Sequence, residues 1–410
     1  MSPEPRNPAE IPPFLAWLVG GVIVAMAAGT PLQMGLAGRT LTLGPSDLFV
    51  AALLLTLPLW FRRLPPLSLF TLTAMLFVVW VWVNSVFWSV DFRRSIMSAK
   101  GLLEGGIVFL AAWHVAAFGD RRGFPAAIRI FNTLLVVQIV WVLLKVLASG
   151  AAGYYGIKDG INVPLGGSNF IALFLEFGLF YELLSRRRFW LPFMALNGVG
   201  VVMTFSRGAL LASAAMFLVT SIAVLGLRGQ RRVAPIVLGS ALAGLVALLT
   251  VPALQVFQLA FSLLGRTAGA RADLWRAAWQ AASWRPITGV GYGAYESVGT
   301  LRDVHSLPLA LLAETGVVGL ALFTVAMLAA LFRVATVGVT DRDLSRRGES
   351  LGLAAGLAVV LVHSQIEPFF EGLALCWAGM VFAWIVGPWG PSAVVSAVPA
   401  AVRTEPAAQH

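Results

Sequence analysis

His305 is the residue of this sequence best suited to acid–base chemistry, because histidine titrates near neutral pH. It lies where a long polar segment, from about 254 to 305, meets the apolar run LPLALLAETGVVGLALF. Asp303 precedes the histidine, and Glu314 follows it within the apolar run. Either carboxylate is therefore a candidate for orienting the imidazole ring.

Arginines accompany this histidine. Arg266 and Arg271 precede it in the long segment, and Arg207 closely follows a separate apolar run at 199–205. A guanidinium group is permanently charged and grips phosphate oxygens through paired N–H donors. A base that works near pH 7 beside such arginines is the pattern expected for group transfer from a phosphate ester. We therefore predict that Arg207, Arg271 and Arg266 bind an anionic ligand.

The middle of the long segment is predicted to be an amphipathic helix. Arg271, Trp275 and Trp279 repeat at a spacing of four residues and share one face, and Pro286 ends the helix. Tryptophan favours the headgroup layer, so we expect the helix to lie along the membrane surface with Arg271 near phosphates. The GVGYG run at 289–293 lacks the flanking strand and helix of a nucleotide site, which favours a tight turn over a phosphate-binding loop.

The elements that position these residues are predicted to be membrane helices. Hydrophobic residues make up 59% of the 410 and charged residues 12%, against roughly 25% charged residues in soluble domains. A bilayer crossing needs about 20 apolar residues, and the sequence contains twelve apolar runs of about that length. The predicted spans are 14–30, 46–61, 67–88, 100–118, 126–148, 168–185, 190–205, 208–226, 233–253, 307–333, 350–366 and 369–388.

The arginines between the spans predict the orientation. If all twelve spans cross, the arginine-rich breaks fall on one side, and the positive-inside rule makes that side the cytoplasm. The tails at 1–13 and 389–410 are then cytoplasmic, and the second is Pro- and Ala-rich and expected to be disordered. The segment at 254–306 becomes one large outer loop between helices at 14–253 and helices at 307–388. The arginine-rich breaks are Arg62-Arg63, Arg121-Arg122, Arg186-Arg187-Arg188, Arg228 with Arg231 and Arg232, and Arg342 with Arg346 and Arg347.

Cations on the outer side need a different reason, and an anionic ligand at the outer surface supplies one. They are Arg39, Arg93, Arg94, Lys100, Lys158, Arg207, Arg266, Arg271, Arg276, Arg285 and Arg302. The net charge of +10 otherwise follows from topology and anionic headgroups. We expect no nucleic-acid partner, because no solvated basic face is evident. The single cysteine excludes an intrachain disulfide, and the four scattered histidines form no zinc motif.

The sequence resembles a known family over roughly 203–319. Together, and in this order around the long segment, three groups of residues are similar to the O-antigen ligase and polymerase superfamily. Many relatives carry Asn where this chain has Ser306, a mild departure that retains the histidine. The three groups are Ser206-Arg207-Gly208; Arg271-x-x-x-Trp275 with Pro286 and Gly289-Val290-Gly291-Tyr292-Gly293; and His305-Ser306 with Leu307, Leu311, Glu314, Gly316 and Gly319.

This resemblance implies an all-α polytopic membrane protein, similar to GT-C glycosyltransferases, with short amphipathic helices in one larger periplasmic loop. It implies an O-antigen ligase at the periplasmic face of a Gram-negative inner membrane. The donor would be a glycan on undecaprenyl pyrophosphate, and the acceptor would be the lipid A–core oligosaccharide of lipopolysaccharide. Neither a cofactor nor an obligatory protein partner is expected.

The mechanism expected on this basis is inverting and independent of metal. His305 would be the general base, Arg207 and Arg271 would hold the pyrophosphate with Arg266 assisting, and Trp275 would support the site. Asp303 or Glu314 would orient His305. A metal site would need clustered outer carboxylates, whereas the outer acids are spread along the sequence. Those acids are Asp91, Asp159, Asp273, Glu296 and Asp303.

Two other classes stay open from the sequence. The first is an O-antigen or capsule polymerase, or a protein O-oligosaccharyltransferase, of the same superfamily. The second is a secondary transporter, which also suits twelve helices with cytoplasmic termini. Transporters usually show two repeated halves, and no convincing similarity relates residues 1–205 to residues 206–410.

Overall fold

The described part of the chain is dominated by helices. In a computed structural model, the described residues are 13–28, 32–36, 39–61, 64–65, 67–118, 123–149, 162–163, 166–226, 271–298, 304–365, 367 and 374–387. The helices are α1 (Pro13–Ala28), α2 (Pro45–Leu55), α3 (Leu57–Trp60), α4 (Leu69–Phe87), α5 (Phe92–Phe118), α6 (Gly123–Ala148), α7 (Ser168–Ser185), α8 (Trp190–Met203), α9 (Arg207–Gly226), α10 (271–284), α11 (Leu307–Thr340), α12 (Leu344–His363) and α13 (Ala374–Val386).

Two short antiparallel hairpins interrupt the helices, and the sequence analysis did not predict them. Strand β1 (Leu32–Leu36) pairs with β2 (Arg39–Leu43), with Leu32 opposite Leu43. Strand β3 (Asn162–Val163) pairs with β4 (Gly166–Gly167) immediately before α7. Both hairpins are connections between helices, so the architecture is that of an all-α polytopic membrane protein.

Five of the described helices are long and apolar enough to cross a bilayer, namely α4, α5, α6, α7 and α11. Four further helices, α1, α2, α8 and α13, are apolar but shorter, and the 207–222 stretch of α9 is also apolar. Every predicted span other than 233–253 overlaps one of the described helices. The number of crossings, twelve, stays a prediction, as do the domain boundaries.

Several predicted helix boundaries were wrong, and local chemistry explains the clearest two. The span predicted at 46–61 is broken between α2 and α3 at Thr56, two residues before Pro58, because proline cannot donate a backbone hydrogen bond. The span predicted to begin at Lys100 begins at Phe92 instead. Asp91 allows this early start, because its carboxylate accepts the free N–H of Arg94 at 3.0 Å.

Helix α11 is longer than predicted and is kinked. It continues to Thr340 rather than ending at 333, and Gly316 has φ 68° and ψ −173° within it. A Cβ at Gly316 would overlap the carbonyl of Ile287, so only glycine fits this close approach. The kink therefore lets the 287–291 segment pack directly on α11.

Helix α7 is the centre of the bundle. Eighty-nine percent of its 18 residues are buried inside the protein, whereas only 28% and 33% are buried in apolar stretches of the same length in α6 and α11. Large apolar side chains on the outer helices are exposed instead, including Leu55, Phe87 and Phe332. Lipid tails accept such side chains, so this inside-out pattern fits a membrane protein.

Several sequence predictions lie outside the described residues. They are the span at 233–253, the cytoplasmic tails at 1–12 and 389–410, and the residues Arg266, Asp303, Arg302 and Lys158.

Candidate active site

The closely packed pair α7 and α12 is the frame of the site. Gly348, Gly352 and Gly356 recur every fourth residue on α12 and face α7. A Cβ at Gly352 would lie 2.6 Å from the carbonyl oxygen of Tyr181, and one at Gly356 would lie 2.8 Å from the ring of Phe177. Small residues at this spacing let two membrane helices approach backbone to backbone. The two helices run antiparallel, so the start of α7 meets the end of α12.

Glu367 lies just beyond the end of α12, and its backbone N–H donates to the carbonyl of His363 at 3.2 Å. Its side chain is 5% exposed and accepts from three residues that are far apart in the sequence. Asn169 Nδ2 and Arg271 Nη2 donate to Oε1 at 2.6 and 2.9 Å. His305 Nδ1 lies 3.0 Å from Oε2. One buried carboxylate thus gathers an amide, a guanidinium group and an imidazole.

His305 is held in a backbone conformation that is unusual for its residue type. Its φ is +50°, in the left-handed region where non-glycine residues are uncommon and which is often found at functional sites. The following residues fix it in place, because the N–H of Leu307 donates to the carbonyl of Ser364 at 2.8 Å. The side chain is 34% exposed. Contact of Nδ1 with Glu367 leaves Nε2 as the nitrogen that can receive a proton from a substrate.

Arg271 lies on α10, the helix that the sequence predicts at this position. The helix packs through Ala278 and Ala281 against Val290 and Ala313. Its opposite face is exposed, with Trp279 60% accessible. The Arg271 side chain is 33% exposed while one nitrogen contacts Glu367. Its remaining N–H groups are therefore within reach of a ligand from outside.

Trp275 is 38% exposed on α10. Its supporting role in the site stays a prediction.

Arg207 begins α9, on the neighbouring helix of the bundle. The turn before it is tight, with Phe205 at φ +54° and the Ser206 hydroxyl accepting the N–H of Ala209 at 3.3 Å. Six residues later, Ser213 donates to Glu176 of α7 at 2.9 Å. Helix α9 thus packs on the same central helix that carries Asn169. Arg207 is half-buried at the start of this helix.

The GVGYG run is a turn, as the sequence predicts. Gly289, Gly291 and Gly293 all have positive φ. The N–H groups of Val290 and Gly291 donate to the carbonyls of Ala313 and Glu314 at 2.9 Å each. Two backbone donors of the run therefore contact α11, and a third, the N–H of Gly289, donates to the carbonyl of Arg285 at 2.8 Å. Glu314 is half-buried there, and its proposed role beside His305 stays a prediction.

Three of the arginines that were predicted to mark an anion site have partners within the protein instead. Arg94 forms an ion pair with Glu296, and Arg285 donates to the carbonyl of Trp88. Arg276 pairs with Asp273 at 2.6 Å on the exposed face of α10. Arg94 and Arg285 thus hold the 285–298 segment against the end of α4 and the start of α5, whereas Arg276 pairs within α10, so the placement of these three cations does not need a ligand.

Asp91 fastens the same segment. Its carboxylate accepts the backbone N–H of Arg94 and the hydroxyl of Ser297, the latter at 2.9 Å. These hydrogen bonds favour the ionised form and lower the pKa of Asp91 below its ordinary value of 3.8. The 3₁₀ turn at Tyr295–Val298 is thereby tied to the start of α5.

Sequence reasoning missed both Glu367 and Asn169. It placed the carboxylate that orients His305 at Asp303 or Glu314, because both are near the histidine in sequence. The predicted topology could have indicated Glu367. With twelve spans, the break between the last two predicted spans lies on the same side of the membrane as His305, and Glu367 is the acidic residue in that break.

Within the described ranges, no group of three His, Cys, Asp or Glu side chains is arranged to hold a metal ion. The arrangement that the described residues do form can accept a proton at His305 and attract an anion at Arg271. The buried Glu367 would stabilise the imidazolium that results from proton uptake.

Residues 192–324 match the family model described as O-antigen ligase, and no curated protein matches the chain. The matched region contains Arg207, Arg271 and His305, whereas Asn169 and Glu367 lie outside it. The match, the apolar helices and the base beside an anion-binding group agree with one another. They support membership of this multi-pass membrane protein in the O-antigen ligase superfamily, whose members are glycosyl-transferring enzymes.

Proposed function

We propose that this protein is an O-antigen ligase that transfers a glycan from undecaprenyl pyrophosphate to lipid A–core oligosaccharide. The observation that carries the proposal is the contact of one buried carboxylate, Glu367, with both His305 and Arg271. It brings a base and an anion-binding group to one partly exposed end of the bundle, which is what transfer from a sugar pyrophosphate requires.

The acceptor in this reaction is a sugar hydroxyl, which is a poor nucleophile until its proton is accepted. Nε2 of His305 takes that proton while Nδ1–H donates to Glu367, so the ring is held in the tautomer that a base needs. The carboxylate then stabilises the imidazolium ion. A positioned general base is typically worth about 10²–10⁴ in rate.

The leaving group is the lipid pyrophosphate. The acceptor oxygen forms a bond to the anomeric carbon as the bond from that carbon to the pyrophosphate oxygen breaks. The electron pair leaves with the pyrophosphate, and the acceptor proton goes to His305. Attack opposite the leaving group inverts the anomeric carbon. Arg271 and Arg207, with Arg266 assisting, hold the developing negative charge, and such fixed donors are worth about 3–4 kcal/mol each.

The membrane setting follows from the same proposal. The exposed tryptophans of α10 suit the headgroup layer, and Arg271 on this helix is then at the depth of lipid phosphates. We assign this end of the bundle to the periplasmic face of a Gram-negative inner membrane, where lipid-linked glycans meet lipid A–core.

The test is a transfer assay with purified protein, an undecaprenyl pyrophosphate–linked glycan and lipid A–core. We expect glycan on lipid A–core with wild type, and at least a 100-fold loss with His305→Ala and with Arg207→Ala. Arg276→Ala is the matched control, because this arginine lies on α10 but pairs with the exposed Asp273. Undiminished transfer in His305→Ala would place the active site elsewhere.

Two further arms separate the competing proposals. Lengthening of the carrier-linked glycan without lipid A–core would favour a polymerase of the same superfamily. Retained transfer in excess EDTA is expected for a metal-independent mechanism, whereas loss that Mg²⁺ restores would refute it.

A further inference from the structure

A second carboxylate–histidine pair lies deeper in the bundle than Glu367 and His305. Glu176 of α7 and His363 of α12 are both fully buried, and His363 Nδ1 lies 2.5 Å from Glu176 Oε2. The other oxygen of Glu176 accepts the hydroxyl of Ser213 in α9 at 2.9 Å. Ionisable residues are costly inside a membrane protein and mark a functional requirement by default.

Each helix in this inner cluster also carries a member of the proposed site. Asn169 lies seven residues before Glu176, which is two turns of α7, or about 10 Å along the axis. Arg207 begins α9, six residues before Ser213. Glu367 follows α12 and donates its N–H to the carbonyl of His363. The hydrogen bonds of the Glu176 side chain therefore join α7, α9 and α12, the three helices that carry or precede Asn169, Arg207 and Glu367.

The connection extends to the proposed base. Ser364, next to His363, accepts the N–H of Leu307 at 2.8 Å, two residues after His305. A displacement of the end of α12 would move Glu367 and the 305–307 segment together. A displacement of α9 would move Arg207, which begins that helix. The spacing between the pyrophosphate group and the base thus depends on how α9 and α12 are held against α7.

We infer that Glu176 and His363 are positioning residues that fix Arg207 relative to His305 and Glu367. This inference rests on the proposed function for its kinetic consequences. Both side chains are fully buried, so they act through the helices they join and not on the substrate. A misplacement of about 1 Å from a distant substitution is enough to cost about 100-fold in rate.

The decisive variants are Glu176→Ala and Glu176→Gln, with Glu349→Ala as the matched control. Glu349 is a second buried carboxylate of the same helix pair; it contacts Arg187 and Trp384 at the other end of α12. We expect Glu176→Ala to lower kcat about 100-fold while the pH midpoint of the reaction stays that of wild type. Glutamine can accept from Ser213 and donate to His363, so Glu176→Gln should retain kcat within about 10-fold.

Hydrogen–deuterium exchange tests the inference without reference to activity. Glu176→Ala should speed exchange in peptides covering 304–310 and 206–210, whereas Glu349→Ala should leave both peptides unchanged. If Glu176→Ala does not fold, Ser213→Ala carries the test, because it releases α9 alone and should speed exchange only at 206–210.

The outcomes separate the inference from the proposed function. Normal exchange and normal kcat in Glu176→Ala would overturn the inference, as would an equal loss of kcat in Glu349→Ala. A shifted pH midpoint in Glu176→Gln would also overturn it, in favour of a direct role in proton transfer. Full transfer in His305→Ala would overturn the proposed function, while the exchange result would still decide whether Glu176 positions these segments.

Discussion

Each end of the α7–α12 pair has a buried glutamate, but the two glutamates have different partners. At one end Glu367 contacts His305, Arg271 and Asn169. At the other, Glu349 accepts from Arg187 Nη2 at 2.6 Å and from Trp384 Nε1 at 3.0 Å. Both carboxylates are about 5% exposed. The residue type alone therefore does not distinguish the two ends.

The partners distinguish them. Arginine is always charged and an indole N–H does not titrate near neutral pH, so no partner of Glu349 can exchange a proton with a substrate. The ring of Trp384 also stacks on Phe124, with ring centroids 4.7 Å apart. Glu367 instead holds an imidazole and a guanidinium group that are each about one-third exposed. Of the two buried carboxylates, only Glu367 thus contacts a residue that can take up a proton, and this is the end that we propose as the active site.

The largest expected effect is the difference between Glu367→Gln and Glu349→Gln. Glu367→Gln should lower kcat by about 100-fold or more, because a neutral amide does not stabilise the imidazolium ion. Glu349→Gln should keep kcat but lower the thermal unfolding midpoint, because Arg187 loses its charged partner. Transfer rates and unfolding by tryptophan fluorescence measure the two effects. Loss of kcat in both variants would contradict the assignment of the active site to the Glu367 end alone.

The next effect tests the frame that joins the two ends. Gly352→Ala should destabilise the protein by about 1–3 kcal/mol, because the added methyl group forces α7 and α12 apart. A Cβ at Gly106 meets nothing within 4 Å, so Gly106→Ala in α5 is the control and should leave stability unchanged or slightly raised. Denaturant unfolding compares the two variants, and equal stability would argue against close packing at Gly352.

A smaller effect concerns the arginines of the two ends. Arg271→Lys should raise the donor KM about 10-fold, because lysine lacks the planar fork that holds Glu367 and phosphate together. Arg187→Lys should leave the donor KM unchanged. Saturation curves with the lipid-linked donor measure this, and a similar rise in both variants would contradict an anion site at Arg271.

The smallest expected effect is on the pH dependence of stability, through the hydrogen bonds of Asp91 to Arg94 and to Ser297 in the 285–298 segment. The hydrogen bonds that lower the pKa of Asp91 stabilise the folded protein above pH 3.8, and this contribution is lost as the pH falls through the lower folded value. Asp91→Asn should therefore lower the unfolding midpoint at neutral pH, and the difference from wild type should shrink in acid. Asp273→Asn, at an exposed pair, is the control. A difference that persists unchanged below that pH would contradict the assignment.

Much of the helical scaffold was predictable from local sequence, as α7 illustrates. An apolar run of bilayer length has no stable alternative to a helix in lipid, so the bounds predicted for α7, 168–185, are those observed. Boundaries set by single polar groups were harder to predict. Asp91 starts α5 eight residues before the predicted span, and no hydropathy pattern records that capping bond.

The sequence by itself determined the membrane class, and it singled out His305 and Arg271 through the chemistry of their side chains. Only the tertiary structure decided which carboxylate they share. Glu367 is 62 residues from His305 and 96 from Arg271. Contacts between residues so far apart in the sequence depend on how the helices pack. Here they depend on the glycines of α12, which let α12 approach α7 closely. The physical reason is that hydropathy and capping act within one or two helical turns, whereas a shared hydrogen-bond acceptor requires several helices to meet at one point.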